Sequence, residues 1–132
     1  MEANEKVTVG ALQAMKRAGR KVVGVVAWDY QVAAVADRAG VEIVSVGDSV
    51  GINLWGHRGP LEVTLDQMVL VGQAVRRGVN RALVSVDIPF GPVQEGTDSA
   101  VRAAITFAKE AGADLVKIDG AEIGRTSCRE RV

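Results

Sequence analysis

Residues 43–51 read "IVSVGDSVG" and residues 83–91 read "LVSVDIPFG". Each begins as a short apolar run and reaches an aspartate, Asp48 or Asp87, where the run ends. Two further segments follow the same rule. "VVGVVAWDY" (22–30) reaches Asp29, and "LVKIDGA" (115–121) reaches Asp119. The apolar runs at 22–27, 42–46, 82–86 and 114–118 are rich in valine and isoleucine and nearly continuous. Strands of a parallel sheet covered on both faces have this pattern, whereas a half-exposed strand alternates.

Between the runs the apolar period lengthens to that of a helix. Residues 30–39 place Val32, Val35, Ala36 and Ala39 on one face, and residues 65–77 do the same with Met68, Val71 and Val75. Residues 98–111 group Val101, Ala104, Ile105 and Ala108, and residues 8–18 form an earlier helix that ends at Gly19. Thr64 and Gln67 have capping-box spacing at the start of the 65–77 helix. Gly40, Gly78 and Gly112 stand where a helix ends on a left-handed residue. Helix, glycine, strand and aspartate therefore recur four times.

Strands that alternate with helices pair in parallel. A doubly wound open sheet would carry a glycine-rich phosphate turn, and neither G-x-G-x-x-G nor G-x-x-x-x-G-K-[ST] occurs after a strand. A (β/α)8 barrel places its chemistry at the C-terminal ends of all its strands, which suits the four acids. A whole barrel needs about 250 residues, and the chain has 132. The expected fold is α/β, the N-terminal half of a (β/α)8 TIM barrel with about four parallel strands.

Composition narrows the function classes. Sixteen basic and sixteen acidic residues cancel, so no net field favours nucleic acid or an anionic membrane. No apolar run reaches the roughly 18 residues of a spanning helix. "MEANEKVTVG" (1–10) has no secretory pattern, and the single Cys128 has no internal partner, so a cytoplasmic protein is expected. There is no CxxC, histidine pair or G-x-S-x-G, which leaves zinc and serine-hydrolase chemistry without support. The segment "EIGRTSCRERV" (122–132) lacks any apolar period and resembles the translation of a sequencing-adapter read-through. Residues 1–121 are read as the partial barrel domain and 122–132 as an artefactual tail.

Carboxylates at the ends of neighbouring parallel strands converge on one mouth and repel one another. A hard cation such as Mg²⁺ relieves that repulsion and keeps positions for substrate oxygens. Asp48 and Asp87 are read together as metal ligands, and Asp29, directly before a helix, as an N-cap. Lys117 lies two residues before Asp119, on the same side of its strand. It is either the ion-pair partner of an aspartate or a clamp for a substrate carboxylate, and both roles are compatible. Ser49 is a turn residue or a donor to a substrate oxygen. His57, in "WGHRGP" (55–60), is read as a solvated loop histidine.

Six segments, in order and at these spacings, resemble the ketopantoate hydroxymethyltransferase family: "AWDY" (27–30), "VGDSVG" (46–51), "VTLDQM" (63–68), "AVRRG" (74–78), "VDIPFG" (86–91) and "AGADLVKIDG" (111–120). The resemblance runs from about Val7 to Ala121. It implies a barrel related to those of phosphoenolpyruvate mutase and isocitrate lyase. It also implies hydroxymethyl transfer from 5,10-methylenetetrahydrofolate to 3-methyl-2-oxobutanoate, through a Mg²⁺-stabilised enolate, in pantothenate synthesis. By resemblance Asp48 and Asp87 are Mg²⁺ ligands that also meet the substrate. Asp119 stands where the family usually has a glutamate at the metal, and Ser49 and Lys117 bind the small-molecule 2-oxo acid. The family's glutamate base belongs to the second half of the barrel, so no catalytic base is assigned in this chain. The chain alone is expected to be inactive, and the full-length protein homo-oligomeric.

The sequence departs from the family pattern in "GHRGPLEVTL" (56–65), at Trp28 and after "DIPF" (87–90), which leaves the exact 2-oxo acid open. The same-fold alternative is a lyase or mutase acting on another 2-oxo acid. The alternative from another class is an inactive metal- and oxo-acid-binding fragment. An isolated half barrel has two open sheet edges, and self-association is expected of it.

Overall fold

A computed structural model describes residues 5–119. Residues 122–132, with Cys128, and the Gly120–Ala121 end of the last motif lie outside the described residues. The elements follow in the order α1 (Val9–Arg17), β1 (Gly24–Val26), α2 (Tyr30–Arg38), β2 (Ile43–Val46), α3 (Val50–Trp55), α4 (Leu65–Gly78), β3 (Leu83–Asp87), α5 (Thr97–Thr106) and β4 (Leu115–Lys117). A 3-10 turn at Pro60–Glu62 follows α3, and a π turn at Phe107–Ala111 extends α5. All four strands are parallel and pair in chain order β1-β2-β3-β4. The expected α/β half barrel is what the chain forms. α3 and the 3-10 turn are additions inside the second repeat that helical periodicity did not reveal.

Register divides the sheet into two faces. Val44, Val46, Val84 and Val86 form the face under the helices, and all four are fully buried. The opposite, inner face carries Val26, Ser45, Ser85, Asp87 and Lys117 in adjoining rows. Continuous burial holds only for the middle of the sheet. β3 is buried throughout, whereas Val26 of β1 is 50% exposed and β4 is half-exposed. Among the described residues β1 and β4 each have one neighbour, so the apolar runs at 22–27 and 114–118 are edge strands there.

The helical faces correct the periodicity reading in two places. α4 buries Met68, Val71 and Val75 as expected, and its capping box forms through Thr64 and Gln67. α2 instead buries Ala33, Ala34, Ala36 and Asp37 and leaves Val32 and Val35 exposed. α5 buries Ala100 and Ala103, with Phe107 beyond them, and leaves Val101 and Ile105 exposed. Only small side chains let α2 lie close on α4. Gly78 marks that contact: a Cβ there would come within 2.6 Å of the Tyr30 carbonyl oxygen. Gly78 is thus a close-approach glycine inside α4 and not a left-handed cap, while Gly19, Gly40 and Gly112 do have positive φ.

Two carboxylates, buried Asp37 and exposed Asp114, fix the start of β3. Asp37, at the end of α2, accepts from the backbone N–H groups of Asn80, Arg81 and Ala82, the last at 2.7 Å. Asp114 accepts from the Val84 N–H and from Arg76, each at 2.9 Å. Val7 donates its N–H to the Arg81 carbonyl at 2.8 Å, so the segment before α1 is tied to the same end of the sheet.

Asp37→Ala leaves three backbone donors at the entrance to β3 without their acceptor. The expected loss is about 2–4 kcal/mol, read as a lower urea midpoint at unchanged m-value.

Candidate functional site

The mouth is built by the loops that leave the C-terminal ends of the strands. After β1 the chain turns through Trp28 and Asp29. The Asp29 carboxylate accepts from the Val32 N–H at 2.8 Å, so its capping role is observed. After β2 it passes through Gly47, Asp48 and Ser49 into α3. Ser49 stands at the N-cap with helical dihedrals and makes no side-chain cap bond, which leaves its hydroxyl uncommitted to the helix. Asp48 and Ser49 are both half-buried. β3 ends on Asp87, and β4 carries Lys117 opposite it in register.

Asp87 and Lys117 form the centre of the site. The Lys117 ammonium donates to Asp87 Oδ2 at 2.8 Å and lies 3.2 Å from Asp119 Oδ2. Asp87 is 8% exposed, while the Asp119 side chain is 75% exposed. Burial pushes the Asp87 carboxyl above the usual carboxylate range. The hydrogen bond and charge of Lys117 oppose that without cancelling it, and the charges of Asp48 and Asp119 push it further up. For Lys117 burial pulls the ammonium down, but Asp87 first and Asp119 second overcome it and hold it above the ordinary lysine value.

Asp48, Asp87, Asp119 and Lys117 are brought to one mouth. Three carboxylates face one ammonium there, an imbalance that a divalent cation would offset. Their oxygens suit a hard ion, and Mg²⁺ commonly takes only one or two carboxylates and keeps waters for its other positions. Among the described residues, no group of three or more His, Cys, Asp or Glu side chains is placed to hold a metal ion. Asp48 and Asp87 offer carboxylate oxygens of the kind a hard ion takes. Lys117 stands between Asp87 and Asp119 and bonds to both. Gly47 keeps the space beside them clear: a Cβ there would meet Ser49 Oγ at 3.0 Å and Asp87 Oδ2 at 3.6 Å.

Two groups near the mouth were not legible in the sequence. His57, expected to be solvated, is half-buried over α3. Its N–H donates to the Gly51 carbonyl at 2.8 Å, and its ring lies 5.7 Å from that of Trp55. A Cβ on Gly51 would come within 2.8 Å of His57 Nδ1 and 2.4 Å of Val63 Cγ2, so glycine there lets the 57–63 loop fold down onto α3. His57 Nδ1 and Trp28 Nε1 are buried with no hydrogen-bond partner among the described residues. Trp28 lies two residues past the end of β1, and that position just past a strand is the available signal.

The ketopantoate hydroxymethyltransferase family profile matches residues 6–130. The 3-methyl-2-oxobutanoate hydroxymethyltransferase of Cytophaga hutchinsonii is 46% identical over 116 residues, covering 88% of this chain and 43% of that protein. The enzyme of the same name from Cyanothece sp. is 45% identical over 114 residues, 86% of this chain and 44% of that protein. That of Porphyromonas gingivalis is 41% identical over 126 residues, 96% of this chain and 46% of that protein. The chain spans less than half the length of the curated relatives it matches.

Stability should register the strained carboxylate. Because the folded protein holds a proton on Asp87 at pH values where the unfolded chain has released it, this group's contribution falls as pH rises from its ordinary value of 3.8 to the raised folded value. Above that window the cost is constant. In metal-free buffer Asp87→Asn should therefore stabilise the chain at neutral pH by about 0.5–2 kcal/mol. The gain should vanish as the pH falls below the window. Thermal unfolding across an acid-to-neutral series measures both.

Proposed function

The chain belongs to the ketopantoate hydroxymethyltransferase family, and from that premise we propose that its mouth binds Mg²⁺ together with a 2-oxo acid. In the whole protein the reaction is hydroxymethyl transfer from 5,10-methylenetetrahydrofolate to 3-methyl-2-oxobutanoate, in a cytoplasmic homo-oligomer. The observation that carries the reading is the buried Asp87 carboxylate, paired with Lys117 and close enough to Asp48 and Asp119 to feel their charges.

In this reading Asp48 and Asp87 hold the ion, with Asp119 facing it from the next strand end. When bound, Mg²⁺ supplies Lewis-acid stabilisation of the negative charge that develops on a keto oxygen. Lys117 turns its ammonium from the aspartates toward the carboxylate of the oxo acid, and Ser49, whose hydroxyl caps no helix, donates to a substrate oxygen. Asp87 and Asp119 hold the Lys117 ammonium in its charged form, which suits this role. Trp28, with its uncommitted Nε1–H, is placed after β1 to wall the same mouth. Proton removal next to the keto group needs a base, which by family resemblance is a glutamate with no counterpart in this chain.

Titration calorimetry with Mg²⁺ and 3-methyl-2-oxobutanoate tests the reading. The expected result is oxo-acid uptake that depends on Mg²⁺. Asp48→Asn or Asp87→Asn should weaken Mg²⁺ binding by no less than the about 10–100-fold typical of changes behind a metal ligand. Lys117→Ala should weaken oxo-acid binding and leave the metal titration nearly unchanged. Absence of oxo-acid binding at saturating Mg²⁺ would overturn the proposal.

A further inference from the structure

β2 and β3 each interrupt an apolar run with one serine, at the same place in the sheet. Ser45 pairs with Ser85 in register, between Val26 on β1 and Leu115 on β4. This row lies on the inner face, two residues and about 6.6 Å below the row that pairs Asp87 with Lys117. One row further down, the face returns to apolar side chains at Ile43 and Leu83. Bulky branched residues dominate the interior of a (β/α)8 barrel at such positions. Two neighbouring serines put hydroxyls and free volume where the fold calls for bulk.

The fold itself does not use these hydroxyls. Ser85 is 9% exposed and Ser45 is half-buried. Ser99, as buried as Ser85, donates to Glu95 at 2.7 Å, whereas Ser45 and Ser85 have no side-chain hydrogen bond among the described residues. The polar atoms sealed without a partner there are Trp28 Nε1 and His57 Nδ1, so the Ser85 hydroxyl is still reachable. A nearly buried hydroxyl without a partner is costly until water or a ligand supplies the bond.

The charges around the pair decide what group it suits. Above it stand Asp48, Asp87 and Asp119 with one ammonium, Lys117, which already bonds to two of them. The serine row and the row below it carry no charged side chain. A second carboxylate on a ligand would meet acids above it and no cation beside it. A neutral hydroxyl can donate to one serine and accept from the other. An oxo acid whose carboxylate and keto oxygen lie at the Asp48, Asp87 and Lys117 level has its side chain free to extend one row down.

We infer that Ser45 and Ser85 form a hydroxyl subsite beneath the mouth, which selects 2-oxo acids that carry a side-chain hydroxyl over those that lack one. The inference rests on the reading of the mouth as a site for Mg²⁺ and a 2-oxo acid. Under that reading the transferred hydroxymethyl group itself brings such a hydroxyl. The subsite then holds the acid more tightly after transfer than before it.

Titration calorimetry of the 132-residue chain at saturating Mg²⁺ is the test, with 4-hydroxy-2-oxobutanoate and 2-oxobutanoate, which differ only by the hydroxyl. The hydroxylated acid should bind about 10-fold or more tightly. In the double variant Ser45→Ala with Ser85→Ala the two acids should bind alike. Ser85→Ala alone should remove most of the preference, since Ser85 is the more buried of the pair. Equal affinities in the native chain, or a preference that survives in the double variant, would overturn the subsite and leave the reading of the mouth intact. Failure of both acids to bind the native chain would overturn the two together.

Discussion

Parallel pairing in a shared register is the constraint from which the site follows. When β2 and β3 run side by side from Ile43↔Leu83 to Val46↔Val86, their C-terminal ends leave the sheet at one end together. Asp48 and Asp87 are then brought to the same end of the sheet, Asp48 one register place beyond Asp87. An antiparallel pair would send them to opposite ends. β4 adds Lys117 directly opposite Asp87, which needs no loop closure beyond the ladder itself.

That arrangement is held from the far end of the sheet. Asp37 and Asp114 bind backbone N–H groups where β3 begins, and Val7 bonds to Arg81 alongside them. The chain thus uses its acids in two ways. At the strand starts, carboxylates are satisfied by backbone donors and fix geometry. At the strand ends, Asp87 is buried and pairs with Lys117, which also reaches Asp119. The backbone anchors and the Asp87–Lys117 pair thus lie at opposite ends of the same strands.

Packing quality varies across the half barrel in a way that follows its topology. The middle, where β2, β3 and α4 each have neighbours on both sides, is dry and close-packed, with Val44, Val46, Val75, Val84 and Val86 fully buried. The lateral ends, at β1 with α2 and at β4 with α5, have neighbours on one side and keep valine and isoleucine exposed. Burial therefore falls outward from the centre of the sheet, and exposed apolar side chains also stand on α3 and the loop after it, at Ile52, Leu54, Trp55 and Leu61.

Much of this was legible in the residues. The run-and-aspartate repeat, the Thr64–Gln67 box and the positive-φ glycines at 19, 40 and 112 are local signals, and each formed as read. Local periodicity could not tell which apolar stripe of α2 or α5 would be covered, because that depends on which neighbours exist. Small residues won the α2–α4 contact through backbone proximity at Gly78, and the larger Val32 and Val35 were left outside. The role of His57 was likewise invisible, since only the descent of the 57–63 loop onto Gly51 buries its ring. The sequence by itself determined the order of elements, the parallel α/β class and the acids at the strand ends, because those depend on spacing along the chain. Tertiary structure alone decided that Lys117 spans Asp87 and Asp119, that Asp37 and Asp114 anchor β3, and which apolar faces stay open. Those outcomes depend on distances between residues about 30 to 45 positions apart for the anchors and the ion pair to Asp87, which no local pattern encodes.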